Sequence, residues 1–289
     1  PDDIAAMRMS AITGPHILAD GTFTPERQAL HDAIVDEFVR NIPASDNPTM
    51  FMNGGGPGSG KSSLQKGANA DLVGYPATRG VDDLTGAIDY TKPAGAVLID
   101  PDAVKAQLPE VKRFRAIQQT AMSQGLKVPE HAAGWAGASH EESSYLSKRI
   151  FQAAMDRKTN IVYDGTGDGG VKSVVKKVSK AREAGYRVEA NYLYLDPREG
   201  LGRALQRGQR SGRNVPVSAL AHIYSDLPGT FDSVKDGVFD KVRLFDNNAS
   251  TGKPGTPAKL IGETGPGGSF VIHDRGAWEG FQNSGERVY

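Results

Sequence analysis

Apolar positions along the chain follow two alternating rhythms. Short apolar runs at 49–53, 96–99, 160–163, 186–195 and 239–246 have the length and side-chain type of buried strands. Between them apolar residues recur at helical spacing, as Leu30, Ile34 and Phe38 do within 25–40. The same spacing predicts helices over 111–124, 140–157, 170–184, 198–211 and 217–227. Thr24 can cap the first helix, with Pro25 at its opening position. Ser139 and Glu142 have the spacing of a capping box, and Gly185 is placed to stop the helix over 170–184. Strand alternating with helix predicts an α/β fold, a mostly parallel sheet with helices on both faces.

The ends and one internal stretch break this rhythm. Residues 1–23 read as a loose lead-in and 24–247 as the α/β domain, with a polar, glycine-containing insertion over about 67–95. From Asn247 turn formers dominate, until a short apolar run at 270–272. Residues 248–289 are therefore expected to form an irregular loop or hairpin appendage.

Composition narrows the function classes. Lys+Arg and Asp+Glu are both 34, a balance that argues against coating nucleic acid or an acidic membrane. The chain has no cysteine, which excludes disulfide scaffolds, thiolate metal sites and cysteine nucleophiles. The sequence shows neither a signal peptide nor an apolar stretch of membrane-spanning length. Together these point to a cytoplasmic protein of a bacterium, or one delivered into a target cell, with neither nucleic acid nor membrane as partner.

The 35 glycines cluster in loops, and one cluster carries chemistry. Gly55-Gly56-Pro57-Gly58-Ser59-Gly60-Lys61-Ser62 matches G-x-x-x-x-G-K-[ST] in full, between an expected strand and an expected helix beginning near Lys61. Glycines let backbone N–H groups turn inward around phosphate oxygens, and the following helix adds its positive dipole end. Lys61 is expected to reach the β- and γ-phosphates and Ser62 to ligate Mg²⁺, with Ser59 and Ser63 completing the nucleotide loop. The fold expected is thus of the P-loop NTPase type, with ATP and Mg²⁺ as its ligands.

Two further strand ends carry acids. In an open parallel sheet, ligands bind beyond the carboxyl ends of the strands. Asp100-Pro101-Asp102 follows the run at 96–99, one acid suited to Mg²⁺ and the other to an acceptor hydroxyl. A helix cap by Asp100 is the structural alternative. Asp164-Gly165-Thr166-Gly167-Asp168 closes the run at 160–163 and can hydrogen-bond a polyhydroxylated acceptor. A turn with Asp168 as helix cap is the rival there. Arg203, Arg207 and Arg210 form one basic helix face, and Gly212 should end that helix and leave Arg213 in a loop. Phosphoryl transfer needs cations on the moving phosphate, and Arg207 and Arg213 are the candidates. His140, which begins a helix, reads as a surface or capping residue unless the acceptor reaches it.

Taken together these segments resemble the zeta toxin family of P-loop kinases, from about Thr24 to Asn247. The resemblance rests on GGPGSGKSS, VLIDPDAVKAQLPE, SHEESSYLSKRIFQAAM leading into NIVYDGTG, AGYRVEANYLYLDP and RALQRGQRSGRNVP, in that order. It implies an ATP–Mg²⁺ kinase acting on the sugar of UDP-N-acetylglucosamine, and an antitoxin protein as partner. It implies Asp102 as catalytic base and secondarily a metal contact, and Asp100, Asp164 and Thr166 on the acceptor. Arg207 and Arg213 become the clamp on the transferring phosphate. Lys148 stands where the family has an acidic substrate contact. Glu141 or Glu142 replaces that contact, with His140 beside it, or the acceptor differs. The alternatives are a kinase of a nicotinamide dinucleotide or nucleoside, and a nucleotide-binding module of a larger phage or secretion assembly.

Overall fold

Seven strands form one sheet in the spatial order β2-β3-β1-β4-β5-β6-β7. They are β1 (Thr49–Gly55), β2 (Ala96–Ile99), β3 (Asn160–Asp164), β4 (Arg187–Tyr194), β5 (Lys241–Asp246), β6 (Lys259–Thr264) and β7 (Phe270–Ile272). The first five in that order pair in parallel and the last three antiparallel. The computed structural model describes residues 2–64, 70–71, 73–82, 85–128, 134–165, 170–211, 216–248 and 256–288.

The central strands are buried along both faces, as expected of a parallel sheet covered by helices on each side. Ten α-helices are described: α1 (Asp2–Arg8), α2 (Pro25–Val39), α3 (Pro101–Lys105), α4 (Pro109–Ser123), α5 (Trp135–Ala138), α6 (His140–Asp156), α7 (Gly170–Glu183), α8 (Pro197–Ser211), α9 (Val217–Val234) and α10 (Arg275–Gln282). The start of α2 is the one its sequence predicts: the Thr24 hydroxyl accepts from Arg27 N at 3.3 Å, and Pro25 takes the first position.

Three expectations give way to the structure. The first residues are not a loose lead-in: α1 packs on α6, and Met7 and Ile12 are buried. The Ser139–Glu142 capping box does not form. The short α5 runs straight into α6, so the Ser139 N–H and hydroxyl both donate to Trp135 O, at 3.0 and 2.7 Å. Helix α9 passes through Pro228 instead of ending before it. Proline removes one helical hydrogen bond, but the stripe Leu227, Phe231 and Val234 that runs past it is buried. Phe231 meets the rings of Tyr192, Phe270 and Phe281 at 4.9, 5.4 and 5.4 Å.

The C-terminal part forms a hairpin, β6 and β7, which joins the main sheet alongside β5. Strand β6 was hidden among turn-forming residues. Its Gly262 lies so close to β7 that a Cβ there would sit 2.5 Å from Val271 O.

Candidate functional site

Strand β1 occupies the centre of the sheet, between β3 and β4, and its neighbours' crossovers leave in opposite directions. The crevice above its carboxyl end is the switch point where α/β folds bind ligands. The glycine motif begins there, because β1 extends as far as Gly55. A single 3₁₀ turn at Lys61–Ser63 follows, and the continuation of the expected helix lies outside the described residues.

The loop is shaped by three contacts that no local motif announces. Tyr224 of α9 donates its hydroxyl to Pro57 O at 2.6 Å. Asn247, just beyond β5, donates its side-chain amide to Ser59 O at 2.7 Å, and both residues are buried. Glycine is required where α8 and α9 approach. A Cβ at Gly58, whose φ is +78°, would lie 2.5 Å from Gly200 O, and one at Gly56 would lie 2.2 Å from the Tyr224 ring. Tyr224→Phe should therefore leave a buried carbonyl without its donor, at a cost of about 1–3 kcal/mol. Denaturant unfolding with and without ATP is the check. The variant should lose stability in both and gain less than the parent from nucleotide.

Lys61 sits at the rim of this loop, its ammonium donating to Gly55 O at 2.8 Å and Gly56 O at 3.1 Å. A triphosphate would offer it stronger, charge-assisted acceptors in place of those carbonyls. Ser62 is exposed at the same turn.

The acids of the neighbouring strand ends converge on it. Burial pushes the Asp164 carboxyl above the ordinary range; the positive charges of Lys61 and Arg207 and the neighbouring Asn53 amide oppose that rise, and the negative charge of Asp102 adds to it. Lys61 in the turn after β1, Asp102 in α3 and Arg207 in α8 thus all act on Asp164 at the end of β3. The Oδ1 atom of Asp164 is buried with no hydrogen-bond partner. An unsatisfied carboxylate oxygen beside a phosphate loop suits a Mg²⁺ ion or a water bound to it, because Mg²⁺ prefers oxygen ligands and shares them with phosphates.

Asp100 takes the structural role its sequence offered. It caps α3 by accepting from Asp102 N at 2.9 Å. Asp102 itself is half-buried and forms an ion pair with Lys105, Oδ1 to Nζ at 3.5 Å. Lys105 is buried, and sequence reasoning missed it; the i,i+3 spacing from Asp102 was the available signal. Arg207 lies on the exposed face of α8, one turn beyond Arg203, which pairs with Glu199 at 3.0 Å. Thr166, Asp168 and Arg213 lie outside the described residues, as do the side chains of Ser63 and Arg210.

Glu142 does not join this group as a substrate contact. It is wholly buried, and its Oε1 accepts from Arg27 Nε and from His31 Nε2, each at 2.6 Å. Its Oε2 accepts from Thr13 and from Arg27 NH2, each at 2.7 Å. Four donors fill the carboxylate, so the expected substitution of Glu142 for a family acid is corrected to a core ion pair. His140 is exposed at the first position of α6, and Lys148 is exposed two turns further along that helix.

A family profile described as Zeta toxin matches residues 33–252. Proteins described as Toxin zeta from Streptococcus pyogenes and Streptococcus agalactiae are each 23% identical over 218 residues, 73% of this chain and 64% of theirs. The matched region thus spans less than two thirds of the length of those relatives. Among solved structures, one from the PezAT chromosomal toxin–antitoxin system of Streptococcus pneumoniae superposes with a TM-score of 0.56 at 12% identity, covering 92% of this chain and 96% of that one. The AvrRxo1-ORF1:-ORF2 structure with ATP gives 0.58 at 18% identity, covering 92% of this chain and 75% of that one. At these identities the structures establish a shared fold. No helix among the described residues is long and apolar enough to cross a membrane.

Proposed function

The chain belongs to the zeta toxin family, and from that premise we propose that it is a kinase moving the γ-phosphoryl group of ATP to a hydroxyl on a small molecule. What supports this reading is a glycine loop that matches the phosphate-binding motif in full at the end of β1, with Lys61, Asp102 and Arg207 near enough to Asp164 to act on its charge. An ATP hydrolase needs the loop and a water-positioning group. A half-buried aspartate, Asp102 in the first turn of the helix after β2, adds a base suited to an alcohol.

In this account the loop amides and Lys61 hold the triphosphate, and Asp102 orients and deprotonates the acceptor hydroxyl. Arg207 spreads charge on the transferring group, with Arg213 as its partner in the clamp. Ser62 and Asp164 would hold Mg²⁺, which when bound neutralises phosphate charge. This moves Asp164 towards the nucleotide. It lies beside Asn53, two residues before the loop, and the charge of Lys61 acts on its carboxyl.

The acceptor proposed is a UDP-amino sugar such as UDP-N-acetylglucosamine, on the strength of the family. The toxin–antitoxin system named for one structural relative, and the two-component complex named for the other, support an antitoxin-like protein partner for this chain.

The test is a mass-spectrometric screen with ATP and Mg²⁺ against UDP-sugars, nicotinamide dinucleotides and nucleosides. One acceptor class should gain a phosphoryl group. Lys61→Ala should abolish both that gain and ATP binding. A Lys61→Ala protein that still phosphorylates its acceptor would overturn the site assignment.

A further inference from the structure

Helix α8 crosses the phosphate loop at its tip. Gly200 O and the Arg203 Cβ lie 2.5 and 3.2 Å from where a Cβ on Gly58 would stand. A side chain at Gly200 would collide with the Tyr224 hydroxyl, so α8 comes this close only because glycine stands there. Arg203 is thus the charged side chain that α8 presents beside Pro57 and Gly58. Its charge reaches the loop. Burial raises the Tyr224 phenol, the Arg203 guanidinium opposes that rise, and the same hydroxyl donates to Pro57 O at 2.6 Å.

Glu199, one turn back, accepts from Arg203 Nε at 3.0 Å. The two side chains are 49% and 30% exposed, and an open i,i+4 pair of this kind adds little to stability. It does fix the guanidinium. With Nε occupied, the two terminal nitrogens have no partner among the described residues. Arg207 follows four residues later on the same helix face, and its charge acts on Asp164. Four helical residues advance about 6 Å, the scale on which a nucleoside triphosphate runs from its α- to its γ-phosphate. With Arg207 at the transferring group, Arg203 falls one turn back, towards the nucleoside.

We propose that Arg203 is a nucleotide-binding residue that donates its terminal nitrogens to the α-phosphate of bound ATP, with Glu199 holding the guanidinium at Nε. This rests on the nucleotide reading of the site and not on transfer to any acceptor. A planar fork anchored at one nitrogen is pre-organised for phosphate oxygens. The α-phosphate is common to ATP and ADP, so Arg203 holds substrate and product alike and contributes to affinity instead of to the chemical step.

Arg203→Met keeps an aliphatic stem beside Gly58 and removes the fork, and the variant should melt as the parent does. Calorimetric titrations with ATP and with ADP, without Mg²⁺ or acceptor so that nothing turns over, read the two affinities separately. Both should weaken about ten- to a hundredfold and by the same factor, the scale of a hydrogen bond to a charged group. Arg198→Met removes one positive charge from the first turn of the same helix and should change either affinity less than about threefold, as loss of an exposed charge does. A loss in Arg203→Met confined to ATP would place the residue at the γ-phosphate and overturn the proposal. Parent-like affinities in Arg203→Met, or an equal loss in Arg198→Met, would overturn it too. In each of these cases the parent still binds nucleotide and the kinase reading stands. A parent that binds neither ATP nor ADP would end both.

Discussion

Asp102→Asn should bind ATP as the parent does and transfer phosphate about 10²–10⁴-fold more slowly, the range spanned by loss of a positioned general base. The substitution keeps side-chain shape, and the backbone contact that fixes this residue survives, since Asp102 N donates to the Asp100 cap at 2.9 Å. What disappears is the carboxylate that pairs with Lys105 and that the proposed mechanism uses to take the acceptor proton. Because Lys105 is buried, melting temperature should be followed alongside activity. Intact nucleotide affinity with collapsed kcat locates the defect in chemistry. Normal turnover by Asp102→Asn would remove Asp102 from its role.

The largest effect on stability is expected at Glu142. Glu142→Ala strands Arg27, which is buried and also bonded to Glu110 at 2.8 Å, without its main counter-charge. Breaking a buried pair by removing one partner costs about 3–5 kcal/mol. That is enough to threaten folding of a domain whose net stability is about 5–15 kcal/mol. Burial alone would raise this carboxyl, but hydrogen bonds from His31, Arg27 and Thr13 outweigh it and hold the group down, at about 2 against an ordinary 4.5. The folded value being depressed, the contribution of Glu142 is complete above about pH 4.5 and is lost as pH falls through about 2. Urea unfolding of the parent and of Glu142→Gln should therefore differ most at neutral pH and converge near pH 2. A constant difference across that range would mean that the ion cluster contributes no pH-dependent stability.

The parts of this molecule legible in its sequence are those encoded by neighbours. The phosphate loop, the acids that close β2 and β3, and the Thr24-Pro25 helix start each need only a few consecutive residues, and pattern is enough. The spacing of Ser139 and Glu142 was also local, and it misled. Glu142 bonds Arg27 across 115 positions and Thr13 across 129, partners that no window could supply.

Distance in sequence hid the rest of the site in the same way. Tyr224 reaches Pro57 across 167 positions, and Asn247 reaches Ser59 across 188. Strand β6 escaped for a different reason. Its glycine, which allows the hairpin to close, is also the residue that reads as a turn.

The central claim is transfer to an alcohol in preference to water, and ¹⁸O-enriched water separates the two directly. With ATP, Mg²⁺ and UDP-N-acetylglucosamine in that solvent, phosphate should appear on the organic acceptor with no solvent oxygen in its bridge to the sugar, and inorganic phosphate should stay minor. Phosphate emerging wholly as inorganic phosphate bearing one solvent oxygen, at the same rate with or without any acceptor, would make the protein an ATP hydrolase and contradict the account.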